Sequence, residues 1–429
     1  MTASVVEVDP AGWVAGLDEL FGRVVAPFFF RREPRLWARV YLLGLLSGLE
    51  RKNGWSLAEF AGESAADGMQ RLLSAAVWDA DQVRDALRRH VARRIGSPGG
   101  VLAVDDTGFL KTGRRSVGVQ RQYTGTAGKI TNCQIGVFLS YVDPGRHRVL
   151  VDRELYLPKS WFAVPDRLTD AGVGDDLAFA TKPEQAWTMI ERAADDVDFV
   201  FGWVTADEAY GDNGPLRTKL EGRALAYVMA VSCDHQVTLA TGKKRADHLA
   251  AELDPGAWQR YSCGPGSKGE RWYDWAWISL QGGGQGGGQR HLLVRRSICD
   301  PSELAFYRCY ATGPVSLAEL VRVAGSRWSI EECFQATKNE AGLDHYQVRK
   351  RIAWYRHVTF AMVTLAMVTL AMVAHAQLAL TAAALDAAPT AVSTAPDPPA
   401  APDTDQGECE LATQGAGDLW TTKRHHASA

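Results

Sequence analysis

Val101-Leu-Ala-Val-Asp-Asp-Thr-Gly108 is the stretch that decides the architecture. Four apolar residues run into two carboxylates, the pattern of a short buried strand that ends in acid. Outward from it, Ile130–Val142 and Arg148–Leu157 read as further strands, and Lys182–Ala194 as a helix. Phe199–Thr205 is another apolar strand, ending at Asp207. A helix over Gly214–Leu220 and a strand over Ala224–Ser232 follow. The order is β-β-β-α-β-α-β, an α/β core with carboxylates at the ends of its first and fourth strands.

Residues 1–100 read as helical, a DNA-binding domain of short helices. Arg35–Leu49 is a long apolar-rich stretch, Ser56 with Glu59 forms a capping box, and Asp79 or Asp81 caps a helix through Ile95. Arginines cluster at 31, 32, 35, 39 and 51, and again at 84, 88, 89, 93 and 94. On the second cluster Arg88 and Arg89 are the expected DNA contacts, and the bland reading is a solvated helix face. Core segments would occupy 101–232 and 314–385, with a β-rich insertion over 233–313 between them. The insertion holds Trp258, Trp272, Trp275 and Trp277, read either as sheet core or as a stacking surface for a flipped base.

Composition sets the limits. With 46% hydrophobic and 23% charged residues, the 429-residue chain is neither disordered nor coiled coil. Its net charge of -3 hides an acidic Pro/Ala-rich tail over 386–429 that carries -5, so residues 1–385 carry +2. The tail reads as disordered. Seven cysteines without a CxxC pair argue against a disulfide scaffold or a zinc site. No basic-then-apolar leader opens the sequence, so a reducing cytoplasm is the default expectation. The uncharged run Val358–Leu385 is long enough to span a membrane, but its Ala and Thr content favours a buried helix. It repeats Ala361-Met-Val-Thr-Leu365 as Ala366-Met-Val-Thr-Leu370. Five residues turn a helix by about 140° beyond one full turn, so this repeat holds no single face. Neither Gly-rich stretch is a phosphate cradle: Gly125–Lys129 lacks the Walker spacing, and Gln281–Gln289 leads into a strand.

The chemistry rests on Asp105, Asp106, Asp207 and Glu331. Carboxylates at adjacent strand ends, with another on a covering helix, suit Mg²⁺ or Mn²⁺, and two such ions can drive phosphoryl transfer. Strand parity sends Asp105 and Asp106 to opposite faces without choosing between them. Thr107 and Gly108 follow at once, so Asp106, nearest the tip, is taken as the metal ligand, and Asp105 as a supporting or exposed charge. Ser316–Lys338 reads as one helix on which Arg327, Glu331 and Lys338 fall within about 40° of one another. That face is either cation, carboxylate, cation toward DNA or an i,i+4 and i,i+7 salt-bridge lattice.

The chain resembles bacterial insertion-sequence transposases of the DDE class, and within them the insertion-sequence family seven-oh-one of the Tyr-Arg-Glu-Lys signature group. The resemblance runs from about Phe28 to His375. It rests on Val104-Asp-Asp-Thr-Gly-Phe109, Ser116-Val-Gly-Val119, Arg121-Gln-Tyr123, Asn132-Cys-Gln134, Leu155-Tyr-Leu-Pro158, Thr205-Ala-Asp-Glu-Ala-Tyr-Gly211, Arg327-Trp-Ser-Ile-Glu331 through Lys338, and Trp354-Tyr-Arg-His357. It implies an RNase H-like mixed-sheet catalytic core with a β-rich insertion before the catalytic glutamate. It also implies a metal-binding triad of Asp106, Asp207 and Glu331, with Arg327 and Lys338 on DNA phosphate. The implied enzyme hydrolyses a phosphodiester at the element end, and the freed 3′-hydroxyl attacks target DNA. Its partners would be double-stranded DNA with terminal inverted repeats, target DNA, and a second copy of the chain for synapsis. The signature tyrosine falls at Ala324, a departure that suits the alternative of an inactive, transposase-derived DNA-binding protein. An aspartyl-nucleophile phosphohydrolase would want a carboxylate at position 107, where Thr stands.

Overall fold

In the computed structural model the described residues are 16–240, 242–266, 269–280 and 287–386, with side chains through residue 374. The acidic tail beyond residue 386 lies outside them. Before the first strand every element is helical: α1 (Arg32–Leu46), α2 (Gly54–Phe60), α3 (Asp67–Ser74) and α4 (Ala80–Ile95). Asn53, not Ser56, caps α2, its side-chain oxygen accepting from the Trp55 and Ser56 amides at 2.9 and 3.2 Å. Asp79 caps α4. A helix over Asp67–Ser74 went unread in the sequence, because eight residues are too few to show a period.

The sheet has ten strands: β1 (Val101–Leu110), β2 (Gln120–Thr124), β3 (Lys129–Val142), β4 (Arg148–Tyr156), β5 (Trp203–Ala206), β6 (Ala226–Val231), β9 (Gln259–Gly266), β10 (Gly269–Leu280), β11 (Gln289–Arg296) and β12 (Leu304–Ala311). A separate hairpin joins β7 (Gln236–Leu239) to β8 (Gly242–Arg245). In the large sheet the path is β2-β3-β1-β5-β6-β12-β11-β10-β9, with β4 on β3. β1, β5 and β6 run parallel, and every other pairing is antiparallel. The β-rich insertion is therefore a continuation of the same sheet through the β6–β12 pairing, not a separate layer.

Helices α5 (Lys182–Asp195) and α6 (Gly214–Gly222) make the crossovers between the central strands. α7 (Leu317–Ser326) and α8 (Trp328–Ala341) follow the insertion, and α9 (Arg351–Asp386) ends the described chain. α9 is long and apolar enough to cross a membrane by length and composition alone. From Ala353 to Met367 it is buried without a break, packed among β4, α8, α1, α4 and α3, while Met372 beyond is exposed. Val358, Phe360, Ala361, Met362, Val363 and Ala366 are all completely buried. A helix apolar all round belongs in a core, which accounts for the repeat that favoured no face. The helices before β1, the central strands and α9 share one hydrophobic core.

Candidate active site

Parallel register selects among the carboxylates. β1 pairs with β5 as Val101↔Trp203 through Val104↔Ala206, so Asp105 and Asp207 are the next residues of the two chains. Partners in a parallel ladder point to the same face, which aligns Asp207 with Asp105 and not with Asp106. Beyond Asp207 the chain turns into a short helix, Glu208–Gly211, and the Asp207 side chain caps it by accepting from the Ala209 amide at 3.0 Å. A Cβ at Gly211 would collide with the Ala230 carbonyl, so this turn can lie against β6 only with glycine there. Asp106 was favoured because it seemed to end its strand; β1 runs on to Leu110, so proximity to a tip selects nothing.

The helix expected over Ser316–Lys338 is two helices meeting at Arg327. Gly325 presses on β9, where a Cβ would strike the Cys263 carbonyl. Its own carbonyl accepts from Arg271 at 3.2 Å. The Arg327 guanidinium, only 9% exposed, donates to Glu331 at 2.9 Å and lies 3.8 Å from Asp105. Burial works to lower its pKa, but Glu331, Asp105 and Asp207 outweigh burial and raise it. Glu331 and Asp105 thus flank one buried guanidinium, and Asp207 acts on it electrostatically. The i,i+4 pair foreseen as the bland alternative does form, and it forms inside the acidic cluster.

Asp106 faces the opposite way. Lys182, at the start of α5, donates to its Oδ2 at 3.0 Å, and the Tyr210 hydroxyl donates to the same oxygen at 3.3 Å. Burial disfavours the Lys182 ammonium, yet Asp106, Asp207 and Tyr156 raise its pKa. Burial and the aspartates 106, 105 and 207 push the Tyr210 hydroxyl well above its usual range. Lys338 returns to the Asp105 face. Its ammonium donates to Thr107 at 2.8 Å and Thr126 at 3.3 Å, and burial lowers its pKa. The sequence reading missed Lys182 and Tyr210. The capping box at Thr181 and Glu184 marks the start of α5 but not the direction of Lys182, and Tyr210 sat unassigned within a quoted motif.

The remaining expected contacts separate. Arg88 is 5% exposed and bound to Asp85 and Asp196 at 3.1 and 3.2 Å, so it is closed to a phosphate. Arg89 is 47% exposed, 3.7 Å from Asp196. Ala324 is buried in the apolar cluster between α7 and the sheet. Of the tryptophans, Trp275 is core, Trp277 stacks on His291 at 4.7 Å, and Arg296 covers Trp258 at 4.0 Å. Trp272 is exposed, but Tyr273 and Trp275 pack beneath α7, so alternation turns Trp272 to the other face. The sheet-core reading therefore holds for Trp275.

Carboxylate oxygens are the donors a hard divalent ion takes, and Asp105, Asp207 and Glu331 already gather about one positive charge. As the side chains stand, no group of three His, Cys, Asp or Glu among the described residues is close enough to hold an ion.

Residues 24–267, more than half of the chain, match a family described as DDE superfamily endonuclease. The match takes in Asp105, Asp106 and Asp207 and stops short of Glu331. The chain is also 27% identical over 198 residues to a protein of Microchaete diplosiphon named "Probable transposase for insertion sequence element IS701". That alignment covers 46% of this chain and 49% of the relative, so the chain spans about half the length of the curated relative it matches.

Proposed function

The chain belongs to the DDE superfamily of endonucleases, and we propose that it is a DNA transposase whose acidic site is Asp105, Asp207 and Glu331. One observation carries the assignment: Asp105 and Asp207 each directly follow the last registered pair, Val104 and Ala206, of adjacent parallel strands, and both act electrostatically with Glu331 on Arg327. The strand order β4-β3-β1-β5-β6, with β1, β5 and β6 parallel, agrees with the RNase H-like core that the resemblance implies.

Asp105, Asp207 and Glu331 would hold Mg²⁺ or Mn²⁺, two ions in the full site, which when bound supply Lewis acidity and an activated water. The chain's own groups prepare the place. Arg327 keeps three like charges together. Lys182 and Tyr210 hold Asp106, and with it the adjoining residue Asp105. In the complex with DNA, Lys338, held by Thr107 and Thr126, would turn to the phosphates, and Arg327, buried among the carboxylates, would reach them only by giving up its pair with Glu331. The reaction is hydrolysis of a phosphodiester at the element end, then attack of the freed 3′-hydroxyl on target DNA. Its partners are duplex DNA with terminal inverted repeats, target DNA and a second copy of the chain, in the cytoplasm at the nucleoid.

The test is cleavage of duplexes bearing the ends of the flanking element, with Mg²⁺ or Mn²⁺, comparing wild type with Asp207→Ala. Metal-dependent nicking at the boundary, lost in the variant, is the expected result. A second reading, a DNA-binding descendant without cleavage, draws on Ala324, where the signature tyrosine is replaced by a buried methyl group. Specific binding of the ends without nicking by either protein would establish it.

A further inference from the structure

Three arginines gather around Cys263 with no carboxylate within 4 Å among the described residues. Arg146 comes from the β3–β4 turn, Arg271 from β10 and Arg295 from β11. All three act electrostatically on the Cys263 thiol. Arg146 donates to the Cys263 carbonyl at 2.9 Å. Arg271 donates to the same carbonyl at 3.2 Å, to Gly264 at 3.2 Å and to Gly325 at 3.2 Å. Arg295 lies over the Tyr273 ring at 4.4 Å, and its buried Nε has no hydrogen-bond partner. Carbonyls and rings orient these guanidiniums without neutralising them, and an uncompensated cluster of like charge is costly. The acids that influence them are Glu270 and Glu332 for Arg146 and Glu303 for Arg295.

The backbone makes room for the cluster. A Cβ at Gly264 would fall on the Arg146 guanidinium, and Gly264 holds a left-handed φ of 95°. Both features select glycine. The cluster is also tied to the acidic site: Arg271 holds the Gly325 carbonyl two residues before Arg327.

We propose that Arg146, Arg271 and Arg295 form a binding site for a phosphate of the DNA backbone, supplied jointly by the β3–β4 turn and the β-rich insertion and set beside the acidic cluster. Guanidinium forks suit phosphate oxygens, and a phosphate would supply the missing negative charge. The inference rests on the transposase reading and gives its DNA a track from the insertion to Arg327.

The experiment is duplex binding by the full chain across a salt series, followed by anisotropy, with Arg271→Gln, Arg146→Gln and the charge-keeping Arg271→Lys. Each glutamine variant is expected to bind about tenfold more weakly on any sequence and to lower the salt slope by about one. Arg271→Lys should keep the slope. Unchanged affinity and slope in folded glutamine variants would overturn the site and leave these arginines as props for carbonyls. If wild type binds no duplex at all, the transposase reading fails separately. The site is then judged by inorganic pyrophosphate: a rise in wild-type melting temperature absent in Arg271→Gln upholds it, and no rise refutes it.

Discussion

Two arginine clusters of this molecule, one contiguous in sequence on α4 and one assembled from positions 146, 271 and 295, differ in what surrounds them. Arg84 and Arg88 on α4 and Arg192 on α5 meet Asp152 on β4, and Arg84 and Arg88 also reach Asp81, Asp85 and Asp196. Arg84, Arg88, Asp152 and Arg153 are all buried. Every charge there has an opposite within reach, and the network joins the helical region to the sheet. Arg146, Arg271 and Arg295 have carbonyls and aromatic rings instead. The lesson is that charge density along a chain does not tell how much charge is left for a ligand. The carboxylates that fold against it decide that.

The comparison breaks most sharply at Asp152, which is wholly buried among Arg84, Arg88 and Arg192. Asp152→Ala leaves buried cations uncompensated and should cost about 3–5 kcal/mol, read by denaturant unfolding. Loss of less than about 1 kcal/mol would show that this cluster is hydrated and resembles the other.

Acid should also weaken the helical side. Burial lowers the His357 pKa to about 4, and the ring stays neutral between the Tyr41 hydroxyl at 2.8 Å and the Gly342 carbonyl at 3.1 Å. Between its unfolded pKa of about 6.5 and about 4, the unfolded chain holds the proton and the folded chain does not. Stability therefore falls as pH falls through that window, by up to about 1.4 kcal/mol per pH unit from this residue. Melting curves for wild type and His357→Gln test it; identical pH slopes would refute it.

The smallest effect expected is at Tyr210, whose hydroxyl donates to Asp106 Oδ2 beside the Lys182 ammonium. Tyr210→Phe should cost about 1.5–3 kcal/mol, the worth of one hydrogen bond to a charged group. The salt slope of DNA binding should not move.

Much of this was legible in sequence because it depends on local order. The apolar run into Asp105 and Asp106, the strand before Asp207, and the helix that carries Glu331 each declare themselves within ten or so residues. Parity was legible as a choice and illegible as an answer, because the partner strand that decides it lies some hundred residues away. The break at Arg327 was hidden for the same reason: Gly325 yields to the Cys263 carbonyl, a contact across the sheet. Arg88 looked available because its acid partners Asp152 and Asp196 come from other elements.

The central claim is that Asp105, and not Asp106, joins Asp207 and Glu331. Single-turnover nicking of an element-end duplex by Asp105→Asn, Asp106→Asn and Asp207→Asn tests it most directly, with DNA affinity measured beside each rate. The account predicts losses beyond about 100-fold for the Asp105 and Asp207 variants, more than even a supporting partner of a metal ligand is worth. For Asp106→Asn it predicts a loss of about tenfold or less. A dead Asp106 variant beside an active Asp105 variant would contradict it.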